Sequence, residues 1–138
     1  MTGLYAGGCA CGSIRYEIAS EPIAGLHCQC RHCQMRSGTG HSSYLVFAGR
    51  SDMASTGEPK SWRVAGDSGN EKIHAFCPDC GTPVHLTFAA MPDLVAVHAA
   101  SLDDASRFMP QFVTYGMRGL AWDILDPALP VFETMPPG

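Results

Sequence analysis

The sequence CPDCG at residues 77–81 is preceded along the chain by CAC at residues 9–11 and by CQCRHC at residues 28–33. These three motifs contain all seven cysteines of the 138-residue chain. An odd number of cysteines leaves one unpaired in any set of disulfides, and cysteines at such short spacings are typical of metal sites. The pattern therefore predicts metal binding, and with it a fold in which metal joins distant parts of the chain.

Four of the cysteines can form a closed zinc site. A C-x-x-C-G turn presents two sulfurs on one side of a tight knuckle, and a bent C-x-C pair presents two more. Gly7, Gly8 and Gly12 permit such a bend around the first pair. Zinc takes four ligands in a tetrahedron and binds thiolates at about 2.3 Å. We predict a structural zinc site at this first cluster, which consists of Cys9, Cys11, Cys77 and Cys80.

The other three cysteines lie within six residues and form the second cluster, Cys28, Cys30 and Cys33. Three protein ligands and one exchangeable position make up the usual catalytic zinc site. We therefore predict a second zinc ion here, with these cysteines as catalytic ligands. A histidine in the fourth position would instead make a second structural site. The histidines that could fill it are His27, His32 and, at a greater distance, His41.

Two other interpretations of these motifs are less favoured. A thioredoxin-type redox pair would place C-x-x-C at a helix N-terminus after a strand. Here Cys80 is followed by Gly-Thr-Pro-Val, which predicts a turn into a strand. A nucleophile pair of Cys30 with His32 is also possible in principle, but no third group that would orient the histidine can be named.

Outside the cysteine motifs, the chain predicts a mostly β fold of short antiparallel sheets. Its 15 glycines and 10 prolines interrupt it often, so the runs between them are short. The third and fourth predicted strands flank the turn-like sequence AGDSGN and indicate a hairpin. The predicted strands are residues 13–19, 43–47, 61–64, 71–76, 82–88, 94–99 and 111–115.

Helix is predicted at only two places. Residues 30–36 can form about two turns, and Ser37-Gly38 is a good C-terminal stop for them. Residues 101–105 are predicted as a single turn, with Ser101 as its N-cap. Residues 49–60 are predicted as a loop.

We find neither an internal repeat nor a stretch long enough for a linker between domains. The sequence therefore predicts one zinc-binding domain over residues 1–138. Residues 126–138 contain four prolines and are predicted as an extended surface tail within that domain.

The composition describes a chain that can bury a core. Hydrophobic residues make up 46% and charged residues 16%, and the net charge is −4 with a pI near 5.8. This balance argues against nucleic acid or an acidic membrane as a partner. The N-terminal sequence lacks the basic and apolar regions of a signal peptide, and no stretch approaches the roughly 18 apolar residues of a membrane span. We expect a cytoplasmic protein with no nucleic-acid or membrane partner.

Taken in order, the motifs GGCACGSIRYE (7–17), HCQCRHC (27–33) and AFCPDCGTPV (75–84) closely resemble the glutathione-dependent formaldehyde-activating enzyme family, which includes centromere protein V. The stretch from Phe112 to Pro136 is also similar to that family's C-terminal part. The resemblance spans nearly the whole chain. It implies a mostly β "β-tent" fold with two zinc ions, the first cluster being structural and the second catalytic.

The resemblance also implies an activity, that of a carbon–sulfur lyase which condenses formaldehyde with glutathione to S-hydroxymethylglutathione. The expected substrate is an aldehyde adduct of glutathione or of another small thiol. Because glutathione is anionic, Arg31, Arg36 or His32 could bind its carboxylates. The simpler interpretation of the two arginines is that they lie on the solvated face of a helix. The alternative is a non-catalytic, zinc-stabilised binding module, since centromere protein V is a non-enzymatic relative.

The remaining histidines and tryptophans are predicted to be structural. His85 and His98 lie in strand-like runs and are expected to be hydrogen-bonded within a sheet. His74 precedes the CPDCG motif and is expected at the surface. Trp62 and Trp122 are expected to pack in the core or at its rim.

Overall fold

Ten strands and one α-helix form most of the regular structure in a computed structural model that describes residues 4–136. The helix α1 is Arg31–Ser37, and four short 3-10 helices cover Arg50–Asp52, Ala99–Ser101, Ala105–Arg107 and Gly116–Arg118. The strands are β1 (Tyr5–Gly8), β2 (Arg15–Ile18), β3 (Ala24–Cys28), β4 (Ser42–Phe47), β5 (Met53–Thr56), β6 (Lys60–Ala65), β7 (Glu71–Phe76), β8 (Pro83–Phe88), β9 (Met91–His98) and β10 (Phe112–Thr114).

The strands form two sheets. The small sheet has the order β1-β2-β5, and the large sheet has the order β10-β3-β4-β9-β8-β7-β6. Every pairing is antiparallel except that of β10 with β3, which is parallel. The mostly β prediction is confirmed, including the hairpin of β6 and β7 across residues 65–70.

Both faces of the large sheet are buried at its centre. Side chains of a strand point alternately to opposite faces. In β4, Leu45 and Phe47 belong to a core shared with the small sheet, whereas Tyr44 belongs to a second core on the other face. In β9, Val95 and Val97 lie in the first core and Ala96 in the second. Cys9 and Cys77 belong to the first core, and the second cluster belongs to the second core.

The predicted helix at residues 30–36 is confirmed. Cys30 is the N-cap of α1, and its sulfur accepts a hydrogen bond from the Cys33 backbone N–H. The helix ends at Gly38, whose φ of 76° is left-handed and whose N–H donates to the Gln34 carbonyl. That conformation is one in which glycine carries no steric penalty.

The predicted turn with Ser101 as its N-cap is wrong. Ser101 is the last residue of one 3-10 helix, and Asp104 caps the next one. The Ser101 hydroxyl is buried, donates to the His98 carbonyl at 2.7 Å and lies 2.6 Å from the Tyr16 hydroxyl. These bonds in the core occupy the group that would have capped a following helix.

Three strands, β1, β3 and β5, were not predicted, and the supposed loop at 49–60 contains β5. Three of its four residues are exposed, so no apolar alternation marks it in the sequence. In β1, a side chain at Gly7 would collide with the Ser101 carbonyl, so this glycine permits close packing inside a strand rather than only a bend. β9 begins at Met91, before the predicted Leu94, because Met91 pairs with Phe88 of the neighbouring strand β8.

The C-terminal segment lies along the outer strand β10. Val113 forms a parallel bridge with Val131, donates its N–H to the Pro130 carbonyl at 2.9 Å and accepts from the Phe132 N–H at 2.8 Å. The segment therefore covers a sheet edge that would otherwise expose unpaired backbone groups. Residues 137–138 of the predicted tail lie outside the described residues. No helix in the part of the chain described is long and apolar enough to cross a membrane.

The histidine predictions need correction. His74 is 1% exposed rather than at the surface, and neither of its ring nitrogens has a hydrogen-bond partner among residues 4–136. His85 also has an unpartnered Nδ1. Trp62 stacks on the His74 ring at 5.5 Å, as expected of a residue at the rim of the core, whereas Trp122 is exposed.

We expect His98 to make the fold less stable as the pH falls below about 6.5. Burial lowers its pKa to about 3, so the folded protein keeps this ring neutral while the unfolded chain takes up a proton. Through this residue the free energy of unfolding should fall by about 2 kcal/mol from about pH 7.5 to pH 5. In His98→Leu that contribution disappears, and chemical denaturation should show a flatter pH profile. Parallel profiles for variant and parent would contradict the expectation.

Candidate metal centres

The first cluster brings together all four cysteines predicted for it. Cys9 and Cys11 follow β1, and the other two lie in the turn from β7 to β8. All four sulfurs lie within 4.8 Å of one another; the Cys9–Cys11 separation is 3.6 Å and the Cys11–Cys77 separation is 3.7 Å. A tetrahedral ion with bonds of about 2.3 Å separates its sulfur ligands by about 3.8 Å. A disulfide would need about 2.05 Å, so the arrangement fits a metal.

Backbone groups around the first cluster favour negatively charged sulfurs. The Ile14 N–H donates to the Cys9 sulfur at 3.2 Å, and the Asp79 N–H donates to the Cys77 sulfur at 3.4 Å. The hydroxyl of Thr82 lies 3.1 Å from the Cys80 sulfur and, with the Thr82 backbone, lowers the pKa of that thiol to about 5. Such donors stabilise thiolate ligands from outside the metal's own coordination sphere.

The second cluster is built where β3 meets α1. Cys28 ends the strand, Cys30 caps the helix, and Cys33 lies in the first helical turn. Their three sulfurs lie within 4.8 Å of one another, and all three residues are buried. The capping bond from the Cys33 N–H to the Cys30 sulfur, at 3.3 Å, holds the helix start against the cluster. The Tyr44 hydroxyl lies 3.3 Å from the Cys33 sulfur.

Three buried sulfurs this close cannot all carry a negative charge without a cation. Hydrogen bonds from Cys28 and Cys33 lower the pKa of Cys30. The same interactions raise the pKa of Cys28 and of Cys33, because a second buried negative charge would be repelled by the first. A divalent, thiophilic cation supplies the missing positive charge, so this set of donors fits zinc or a similar metal.

Lys72 is a buried cation beside the second cluster, and sequence reasoning missed it. The residue lies in β7, is 8% exposed, and holds its ammonium 5.4 Å from the centre of the Tyr115 ring. Burial opposes its charge, but the sulfurs of Cys30, Cys28 and Cys33 outweigh burial and raise its pKa. Nothing in the sequence indicated its burial, because Lys72 alternates in β7 with His74, which was itself expected at the surface.

The candidate histidines do not join the second cluster. His27 and Cys28 are consecutive in β3, so their side chains point to opposite faces of the strand. The Nδ1 of His27 lies 2.7 Å from the Ser43 hydroxyl. His41 is paired with Asp123 at 2.8 Å. His32 packs edge-on against Trp62. Within residues 4–136, no histidine or carboxylate shares the 4.8 Å grouping of the three sulfurs.

The arginines proposed to hold a carboxylate have other neighbours. Arg31 donates to the Gln34 side chain at 3.0 Å, and the guanidinium of Arg36 lies 4.8 Å above the Phe76 ring. Both are on α1, as predicted, but Lys72 is the cation that lines a cavity with the second cluster.

That cavity has a volume of about 100 Å³ and is lined by two of the cluster's cysteines, Cys28 and Cys33. Its other polar groups come from Tyr44, Lys72, Thr114 and Tyr115, and the Thr114 hydroxyl makes no geometric hydrogen bond within the described chain. The arrangement places two sulfurs, a positive charge and three hydroxyl groups around one small space.

Comparison with known proteins agrees with this geometry. The family model described as glutathione-dependent formaldehyde-activating enzyme matches residues 4–118, a range that includes all seven cysteines and Lys72. The chain belongs to this family. Two cysteine clusters that could hold metal are therefore found in a member of a family associated with glutathione and formaldehyde.

The fold of this family member also has a counterpart among solved structures. A crystal structure of a Rhodobacter sphaeroides protein is similar with a TM-score of 0.57 and 23% sequence identity, covering 72% of this chain and 88% of that chain. At this identity the likeness shows the fold alone. No curated protein matches the sequence.

We expect Cys77→Ser to remove one metal ion and most of the folding stability. The first cluster joins β1 to the turn between β7 and β8, and metal binding in small zinc modules supplies folding energy on the order of 10 kcal/mol. Metal analysis and thermal denaturation test this. An unchanged melting temperature would show that the first cluster is not structural.

The same substitution at Cys30 is the matched control. Its cluster lies within six residues, so its loss cuts no long-range connection. Cys30→Ser should keep the circular dichroism spectrum of the parent while the metal content falls by one ion. Parental metal content in this variant would contradict the assignment of the second centre.

Proposed function

We propose that the chain is a zinc-dependent carbon–sulfur lyase that joins a thiol such as glutathione to formaldehyde at the second cluster. One observation carries the proposal. Three buried sulfurs converge beside a buried ammonium, and no histidine or carboxylate of residues 4–136 completes their set. The family supports the substrates, since its description names both glutathione and formaldehyde.

In this proposal Cys28, Cys30 and Cys33 hold the ion of the reactive centre. Zinc bound there supplies a Lewis acid that lowers the pKa of an incoming thiol and fixes its sulfur. The three cysteines use all the nearby protein donors, which leaves the remaining position to substrate.

In this proposal the chain's own residues supply a proton to the aldehyde oxygen and stabilise the negative charge that develops on it. The substrate sulfur forms a bond to the carbonyl carbon, and the π pair of the carbonyl moves to oxygen. Lys72 Nζ, which lines the cavity with Cys28 and Cys33, faces that oxygen and gives it a proton. The proton lost by the thiol restores the ammonium, so that thiol and aldehyde together give the hydroxyalkyl thioether and nothing else.

The first cluster has a structural role in this proposal. Two of its sulfurs, those of Cys9 and Cys77, are buried in the first core, and four cysteines fill a tetrahedral ion completely. No position remains there for substrate. Zinc at this cluster would hold the small sheet against the turn between β7 and β8.

Cobalt in place of zinc tests the open position of the second centre. Glutathione should shift the charge-transfer bands of the cobalt protein, because a thiolate is added to the metal. S-methylglutathione has no ionisable thiol and should leave the bands unchanged. A protein that responds to neither has a closed fourth position, and that result would favour the non-catalytic binding module.

Lys72→Met tests the proposed proton donor. The change keeps most of the length of the side chain and removes its charge, so adduct formation should slow by about 100-fold, as when an oxyanion donor is lost. Exchange NMR with glutathione and formaldehyde measures the rate. The cobalt response to glutathione should remain, since the sulfurs are untouched.

The chain offers a matched control, because its only other lysine, Lys60, is exposed on β6. Lys60→Met should keep the parental rate. Equal rates for both variants would remove Lys72 from the mechanism.

A further inference from the structure

The cavity beside the second cluster is largely apolar, apart from the polar groups already described. Met91 and Met135 also line it, and both are more than 40% exposed, so they lie at its opening. The apolar side chains that line its interior are Leu26, Val46, Leu86, Phe88, Leu94 and Ala96.

The pairing of strands explains why the space exists. Ala96 in β9 is the register partner of Val46 in β4 and of Leu86 in β8. These three residues form a row across the centre of the large sheet, on the face that carries the second core. The middle residue of the row has only a methyl group, whereas both of its neighbours are larger. The cavity is therefore formed where one small residue stands between larger ones on a buried face.

Neither substrate named by the family fills this space. Formaldehyde carries only hydrogens on its carbonyl carbon, so it leaves the apolar wall without contacts. Glutathione is a charged tripeptide, and burying its unpaired charged groups against leucine and phenylalanine would cost several kcal/mol. The body of glutathione must therefore remain outside the opening, where solvent is available.

We propose that the aldehyde which this site prefers carries a short, unbranched apolar chain of three or four carbons that fills the cavity. The inference rests on the proposed function and names its substrate class. A volume of about 100 Å³ corresponds to about three water-sized groups, and it is smaller than the roughly 150 Å³ cavity that accepts benzene. An aliphatic chain fits, and an aromatic ring does not.

The position of the cavity orients such a substrate. Cys28, Cys33 and Lys72 line the same space as the apolar row. With the chain against Ala96, the carbonyl group reaches the sulfurs and the ammonium. The thiol sulfur bonds to the carbonyl carbon, and the carbonyl oxygen becomes a hydroxyl. Lys72 gives the hydroxyl its proton, and the proton lost by the thiol restores the ammonium. The product is a hemithioacetal with a buried alkyl chain and an exposed peptide part.

Exchange NMR on the full, metal-loaded chain tests this inference. The measured quantity is the enhancement of adduct formation over the uncatalysed rate, with glutathione and either butanal or formaldehyde. A hydrophobic pocket discriminates about tenfold or more for each methylene that it contacts. We therefore expect the enhancement for butanal to exceed that for formaldehyde at least tenfold.

Ala96→Leu should fill the cavity. The ratio of the enhancement for butanal to that for formaldehyde should fall at least tenfold. Ala54→Leu, at an exposed position of β5, is the matched control and should change neither value. If Ala96→Leu does not fold, Val46→Phe provides the same test from the neighbouring strand at a half-buried position.

A binding measurement gives a result independent of turnover. The unreactive analogue 1-butanol should show nuclear Overhauser effects to the methyl groups of Ala96 and Leu86, and Ala96→Leu should abolish them. Such contacts at other residues only would overturn the inference.

The outcomes separate the two proposals. Turnover of formaldehyde with no preference for butanal overturns the inference and leaves the proposed function standing. Faster turnover of formaldehyde with butanethiol than with glutathione would place the chain of the thiol in the cavity and also overturn it. Absence of turnover with every pair overturns the proposed function, and with it the assignment of an aldehyde to this cavity.

Discussion

A β-strand turns successive side chains to opposite sides, and in the central strands β4 and β9 both sets are buried. The rest of the structure depends on this constraint. One face is covered by the small sheet and carries Cys9 and Cys77, while the other is covered by the segment that contains the second cluster. The sheet thus separates a cluster of four cysteines from a cluster of three. The solvent exposure and the charge of one cluster therefore do not determine those of the other.

With zinc bound, the two centres would differ in how their charge is balanced. Four thiolates with a zinc ion would give a net charge of −2 at the first cluster, where Cys11 and Cys80 are exposed and water could solvate that charge. Three thiolates with a zinc ion would give −1 at the second cluster, where all three cysteines are buried. The buried ammonium of Lys72 would offset that charge. Pairing with an opposite charge lowers the free-energy cost of burying such a group in an apolar core.

The sequence predicted those features that depend on spacing along the chain. Cysteines separated by one or two residues identify both clusters. Gly38, which follows Ser37 and has a left-handed backbone conformation, marks the end of α1. It did not predict features created between strands. Lys72 meets the second cluster, and Ala96 meets Val46 and Leu86, only once the register is set. The strands β1 and β5 were missed for a related reason. Three of the four residues of β1 are alanine or glycine, and three of the four residues of β5 are exposed, so neither strand shows an apolar alternation.

The C-terminal segment along β10 has an evolutionary consequence. The family model ends at residue 118, before this segment begins its pairing with Val113. It nevertheless carries Met135 to the opening of the cavity while contributing no cysteine to either cluster. Under the proposed function, substitutions there would alter which molecules enter the cavity without touching any cysteine of the two clusters. Among descendants of this chain, substrate choice could then diverge by drift in this segment while the cysteine clusters stay the same.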